Sequence, residues 1–199
     1  YSYPPASLVA LQQERSKGIE TGVEYLSAND LRLEAVYFDQ DVENAIDFDL
    51  VSYSGYLQYV GRSNSRGVEL SASMPLTEQL SLQANYTFND TERPNGQQRL
   101  RRPRQLLNAG ISWQPQPRLA VHAFARSSRD AVDEPPFAGV VKLDDFVVLD
   151  LNASYQLTST LQLSGRIENA LDEQYTEVIG YNTAGAAAYV GVKMNFGSL

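Results

Sequence analysis

LQLSGRIENALDEQYTEVIGYNTAGAAAYVGVKMNF, residues 161–196, is the stretch whose reading decides the fold. Both of its ends alternate with a period of two. Leu161, Leu163, Gly165 and Ile167 oppose Gln162, Ser164, Arg166 and Glu168. Ala188, Val190, Val192, Met194 and Phe196 oppose Tyr189, Gly191, Lys193 and Asn195. Successive side chains of a strand point to opposite faces, so each end reads as a strand with one apolar and one polar side.

The same pattern runs back through the chain. Ile19, Thr21, Val23 and Tyr25 alternate with Glu20, Gly22 and Glu24, and Leu31, Leu33, Ala35 and Tyr37 with Arg32, Glu34, Val36 and Phe38. Val68, Leu70, Ala72 and Met74 form a third apolar row; Leu80, Leu82, Ala84, Tyr86 and Phe88 form a fourth. Leu107, Ala109, Ile111 and Trp113 follow, then Leu119, Val121, Ala123 and Ala125, then Val147, Leu149, Leu151, Ala153, Tyr155 and Leu157. With the closing pair these make nine strands. Short turns fall near residues 28, 77, 116 and 159, and longer connections near 52, 97, 136 and 178. Regular alternation of short and long connections is the signature of an up-and-down transmembrane barrel. Ten residues at about 3.3 Å each, tilted about 45°, cover roughly 23 Å, close to the ~25 Å apolar band of such barrels. Tyr25, Trp113 and Tyr155 sit beside short turns, and Tyr37, Tyr86 and Phe88 near the opposite ends, as two aromatic girdles require. The terminal apolar row closed by Phe196 has the C-terminal pattern of bacterial outer-membrane barrels and is read as their assembly signal: Val190, Val192, Met194 and Phe196.

Composition bounds the alternatives. The chain has 199 residues, no cysteine and a formal net charge of −8, which exclude a disulfide framework, a thiolate site and a phosphate-neutralising nucleic-acid surface. Mean hydropathy is −0.33, and no apolar run approaches the roughly 18 residues of a membrane-spanning helix. A barrel escapes that test because its inward half is polar. A soluble β-sandwich also alternates, but its strands run about five or six residues and gain nothing from aromatic bands at their ends. Tyr1-Ser2-Tyr3-Pro4-Pro5 is no export signal, and nine strands leave two unpaired edges. The expectation is therefore an all-β, open, incomplete barrel sector lacking its N-terminal part. Residues 1–14 would be an irregular external segment, 15–196 the C-terminal part of the barrel and 197–199 a short tail.

Ile167-Glu168-Asn169-Ala170-Leu171-Asp172-Glu173-Gln174-Tyr175 resembles the Asn-Leu-Phe-Asp…Tyr block preceding the last strand of TonB-dependent outer-membrane receptors. Gly180-Tyr181-Asn182-Thr183-Ala184-Gly185 is similar to the following loop in the cobalamin-receptor branch of that family. Arg66-Gly67-Val68-Glu69 and Leu100-Arg101-Arg102-Pro103-Arg104 match further blocks of it. The resemblance implies the last nine strands of a barrel of about 22. It implies energised uptake of a scarce large ligand, cobalamin first and a ferric siderophore second, with no chemistry on the ligand and no cofactor. Implied partners are outer-membrane lipid and lipopolysaccharide, the barrel-insertion machinery, and TonB through an N-terminal plug and TonB box absent from this chain. Two departures stand out. Leu8, Val9 and Gln13 replace the Asn and two prolines with which the family usually enters this region, and Gly197-Ser198-Leu199 continue past the usual terminal aromatic.

The resemblance makes Arg101 and Arg102, with Tyr181, Asn182 and Thr183 from a second loop, the candidate ligand contacts. Guanidinium donors suit the amides and phosphate of a corrinoid. Their alternative role is a solvated cluster with Arg99 and Arg104 facing lipopolysaccharide phosphates. The two loops are expected to approach only across the rim. His122, the single histidine, sits on a polar face without a defined carboxylate or nucleophile, which leaves a hydrolytic barrel a weak alternative and gives no metal site. A passive porin or adhesion barrel is the remaining alternative.

Overall fold

The computed structural model describes residues 11–49, 55–58, 61–136 and 138–196. In chain order the strands are β1 (Arg15–Leu26), β2 (Arg32–Glu43), β3 (Ile46–Phe48), β4 (Tyr56–Gln58), β5 (Arg62–Thr77), β6 (Leu80–Glu92) and β7 (Gln105–Gln116). They continue as β8 (Leu119–Arg129), β9 (Val132–Asp133), β10 (Val141–Lys142), β11 (Phe146–Gln156), β12 (Leu161–Glu168) and β13 (Ala187–Met194). Among the described residues, nine of them form one antiparallel sheet in the order β1-β2-β5-β6-β7-β8-β11-β12-β13. Every neighbour in that sheet is the preceding or next long strand, so the path is a pure meander. Of the segments expected at 1–14 and 197–199, residues 1–10 and 197–199 lie outside the described residues.

Register shows why the sheet holds one orientation. A one-residue slip would turn every side chain to the other face, and each pairing keeps apolar against apolar. Leu33 opposes Ala72, Ala72 opposes Ala84, Ala84 opposes Ala109 and Ala109 opposes Ala125. Leu151 opposes Ile167, and Leu163 opposes Val192. The reverse face carries the unbroken row Glu24, Glu34, Ser71, Asn85, Asn108 and Arg126. The apolar face is uncovered: Ile19 is 73% exposed and Val190 89%. An exposed apolar face running the width of nine strands is untenable in water and is what lipid requires.

Two prolines beside the expected short turns, Pro75 and Pro115, lie inside strands. The turn expected near residue 77 begins only after it, because β5 runs on to Thr77 with a register shift between Pro75 and Thr77. β7 likewise passes Pro115 to Gln116, with a shift between Trp113 and Gln116. Proline has no N–H to give a ladder, so within a sheet it belongs at such irregularities. The turns proper are then two residues, Glu78-Gln79 and Pro117-Arg118.

The long connections also hold structure that alternation did not reveal. β3 pairs with β4 in the β2–β5 connection, and β9 with β10 in the β8–β11 connection. These pieces are two or three residues long, below the length at which a period of two is legible. The most buried apolar side chains, Leu143, Phe146 and Val148, lie at this long-loop end. A small packed core therefore sits beneath the loops and not between two sheets.

Candidate functional site

Three connections meet at the long-loop end: 93–104 between β6 and β7, 130–145 between β8 and β11, and 169–186 between β12 and β13. The middle one is folded first by its own backbone. The amide of Asp130, a residue at φ 55°, donates to Asp145 Oδ1 at 2.9 Å, and Leu143 N donates to Ala131 O at 2.9 Å. Those bonds close the β9–β10 hairpin and turn Asp133 inward. Asp133 is 1% exposed.

A carboxylate that far from water must have its lone pairs filled. Arg101 Nε and the Glu134 amide donate to Oδ1, and the Ile179 amide donates to Oδ2, each at 2.9 Å. Burial pushes the Asp133 carboxyl up, but the Ile179 amide, the Arg101 guanidinium and the Glu134 amide outweigh it. The group is held below its ordinary value of 3.8. Arg101 adopts φ 57°, and its own amide donates to Val132 O at 2.8 Å. Around this centre Arg93 pairs with Glu134 at 3.3 Å, and Gln98 Nε2 donates to Asp130 O at 2.7 Å and Arg102 O at 2.8 Å.

The third connection is built on Asn169, which is 4% exposed. Its Nδ2 donates to the Glu173 and Ala184 carbonyls at 2.9 and 3.2 Å, and its Oδ1 accepts from Glu173 N at 2.9 Å. Its backbone amide donates to Asp150 Oδ1 at 2.9 Å, which fixes the loop to β11. Tyr175 then lies against Phe146 with ring centroids 4.3 Å apart. Arg126 stands over both rings at 5.2 and 5.7 Å and pairs with Glu177 at 2.6 Å. The loop thus folds over the polar face of the sheet. At the outer rim Lys142 holds Asp130 at 2.8 Å, which lowers the carboxyl and raises the amine from their ordinary values.

The candidate residues fall into two groups. Arg101 is committed to Asp133, and Thr183 Oγ1 donates to Tyr175 O at 2.6 Å. Arg102, Tyr181 and Asn182 are exposed, Tyr181 at 74%, and their side chains make no hydrogen bond among the described residues. The expectation that the two loops approach only across the rim needs amending: Asp133 joins them through Arg101 and Ile179. Val190, Val192 and Met194 lie on the apolar face of β13, and Phe196 lies just beyond it, 86% exposed. His122 Nδ1 shares a 3.0 Å hydrogen bond with Ser112 Oγ on the polar face. Asp133, Arg126, Asn169 and Tyr175 were not singled out as site residues from sequence. Asn169 and Tyr175 lay within a quoted block, whereas Asp133 had no periodic context to mark it.

The geometry defines a sector of transmembrane barrel wall, apolar outside and polar inside, crowned at one end by interlocked loops. Comparison with known proteins agrees. Residues 1–170 match the family described as TonB dependent receptor-like, beta-barrel. The chain belongs to that family, and the wall is an outer-membrane one. Among curated relatives, the iron-regulated outer membrane virulence protein of Vibrio cholerae is 28% identical over 152 residues, 71% of this chain and 23% of the relative. The vitamin B12 transporter BtuB of the same organism is 25% identical over 161 residues, 80% of this chain and 26% of the relative. The chain spans about a quarter of the length of these relatives. The ferripyoverdine receptor of Pseudomonas aeruginosa superposes with a TM-score of 0.78 at 20% identity, over 98% of this chain and 29% of that one. The ferric-catecholate receptor Fiu of E. coli gives 0.76 at 19% identity, over 98% and 30%. At these identities the structures speak to the fold.

Proposed function

We propose that the chain supplies wall and external mouth to a TonB-dependent outer-membrane receptor, which captures a scarce, large ligand and imports it without altering it. The observation that carries this reading is the loop assembly. Connections 93–104 and 169–186, separated by four strands of wall, are drawn to one buried carboxylate. Arg101, Arg102, Tyr181, Asn182 and Thr183 are the proposed contacts, with Arg102, Tyr181 and Asn182 the most available. Energy would come through TonB, acting on a plug domain in the complete receptor. Val190, Val192, Met194 and Phe196 would be read by the barrel-insertion machinery, and the wall would sit among lipid and lipopolysaccharide.

Cobalamin is the first ligand reading, supported by the loop Gly180–Gly185 and by the relative that carries vitamin B12. A ferric siderophore is the second, supported by the iron-regulated relative at slightly higher identity. Binding of radiolabelled cyanocobalamin and of a ferric catecholate to outer membranes decides between them, and uptake with and without TonB tests the energy requirement. Cobalamin retained and siderophore ignored supports the first reading, and the converse the second. Entry of either at full rate without TonB overturns the receptor reading.

A further inference from the structure

Asp133 links the tip of the β12–β13 connection to the β6–β7 and β8–β11 connections. The β6–β7 connection is stitched to the β8–β11 connection through Arg101 N, Arg101 Nε, Gln98 and Arg93. The base of the β12–β13 connection is fixed separately to β8 and β11 by Arg126, Phe146 and Asp150. Its tip differs: among the described residues, the Ile179 amide on Asp133 Oδ2 is the one hydrogen bond from 176–183 to the β8–β11 connection. The Tyr181 and Asn182 side chains follow within three residues and carry no bond of their own.

We propose that Asp133 is the positioning residue that fuses the three connections into one mouth, so that Arg102 and the Tyr181–Asn182 tip present a single surface to a large polar solute. The inference deepens the receptor reading and rests on it for the identity of that solute. Asparagine cannot substitute. One amide oxygen can serve either the Arg101–Glu134 pair of donors or Ile179, and the amide NH2 then faces the other donors. Alanine strands all three. Lysine at 101 still brings a charged donor to Oδ1, so Arg101→Lys is the conservative partner variant.

Hydrogen exchange on the receptor in outer membranes tests the link without any substitution. The Arg101, Glu134 and Ile179 amides, read from peptides covering 99–104, 131–135 and 176–183, are expected to exchange slowly and together. In Asp133→Ala, exchange of 176–183 is expected to accelerate about 10- to 100-fold, the range for losing a charge-assisted bond. The ladders 161–168 and 187–194 should stay unchanged. Arg101→Gln should raise exchange of 99–104 only modestly, because Arg101 N on Val132 O and Gln98 on Asp130 O remain, and Arg101→Lys should restore it. With cyanocobalamin as probe, Asp133→Ala should weaken binding by a similar factor while heat-modifiable gel mobility stays normal. Independent exchange of the three peptides in the parent overturns the proposal. So does protection of 176–183 that survives Asp133→Ala within about 3-fold. If Asp133→Ala does not assemble, the parent exchange and the Arg101 variants decide the matter. Absence of cobalamin binding by the parent removes the cobalamin reading and leaves the exchange result standing.

Discussion

Ala84 and Gln83 are adjacent in β6, yet an arginine at the two positions should have opposite fates. Ala84 lies on the apolar face, opposite Ala72 and Ala109, while Gln83 lies on the polar face opposite Ser73 and Gly110. From Leu80, beside the short turn, to Ala84 is four residues. At about 3.3 Å per residue and a tilt of about 45° that is roughly 9 Å of depth, near the middle of a ~25 Å apolar band. Arginine at the midplane costs about 2–4 kcal/mol, and near the interface about 0–1. Ala84→Arg should therefore lower the folding equilibrium constant by roughly 30- to 1,000-fold relative to the parent. Leu82→Arg, two residues nearer the turn, should cost less because its guanidinium reaches the headgroups more easily. Gln83→Arg should cost little, since it meets the polar interior. Urea unfolding of each variant in lipid, followed by heat-modifiable mobility on gels, gives the midpoints. Equal tolerance of Ala84→Arg and Gln83→Arg would refute the assigned facing, whatever the family.

Other positions give sharper local tests. A Cβ at Gly67 would collide with the Phe88 carbonyl oxygen and stand 2.9 Å from Phe38 Cζ, so Gly67→Ala should destabilise by about 1–3 kcal/mol. Gly165→Ala, whose Cβ would meet only Tyr189 O at 4.0 Å, should be near neutral in the same unfolding assay. Asp133 has a lowered carboxyl pKa, so its contribution is complete above the ordinary 3.8 and is lost as pH falls through the depressed value. Spin labels at Asn95 and Asn182 should give one unchanged distance from pH 7.5 to 5 and a broadened one only below 3.8, where protonation removes the charge to which Arg101 and Ile179 are bonded. Arg126→Ala removes the stack on Phe146 and Tyr175 and the Glu177 pair, and limited proteolysis should then cut 176–182 faster. Phe196→Ser should lower outer-membrane levels, whereas deleting 197–199 should leave them unchanged; the opposite ranking, read by immunoblot, removes Phe196 as the assembly signal.

Much of the wall was legible because strand periodicity is local. Leu82 and Gln83 declare their faces from their immediate neighbours, and lipid outside with a polar interior admits only one orientation for nine such strands. The same locality explains the errors at Pro75 and Pro115. Proline reads as a turn residue from its own chemistry, and only the partner strand decides whether a bulge accommodates it. Asn169 and Tyr175 were visible as members of a sequence block, but their work was not, since it depends on Ala184 and Phe146 arriving from elsewhere.

Sequence by itself therefore determined the nine long strands, their facing, the apolar belt and the ends at which long loops lie, because alternation is a property of residues two apart. Tertiary structure decided that Arg101 is tied inward while the Arg102 side chain makes no hydrogen bond among the described residues, and that Asp133 joins connections 32 and 46 residues away. The physical reason is that a buried carboxylate is defined by the donors that surround it. Those donors are backbone amides and one guanidinium from three separate loops, and no period along the chain records where they will meet.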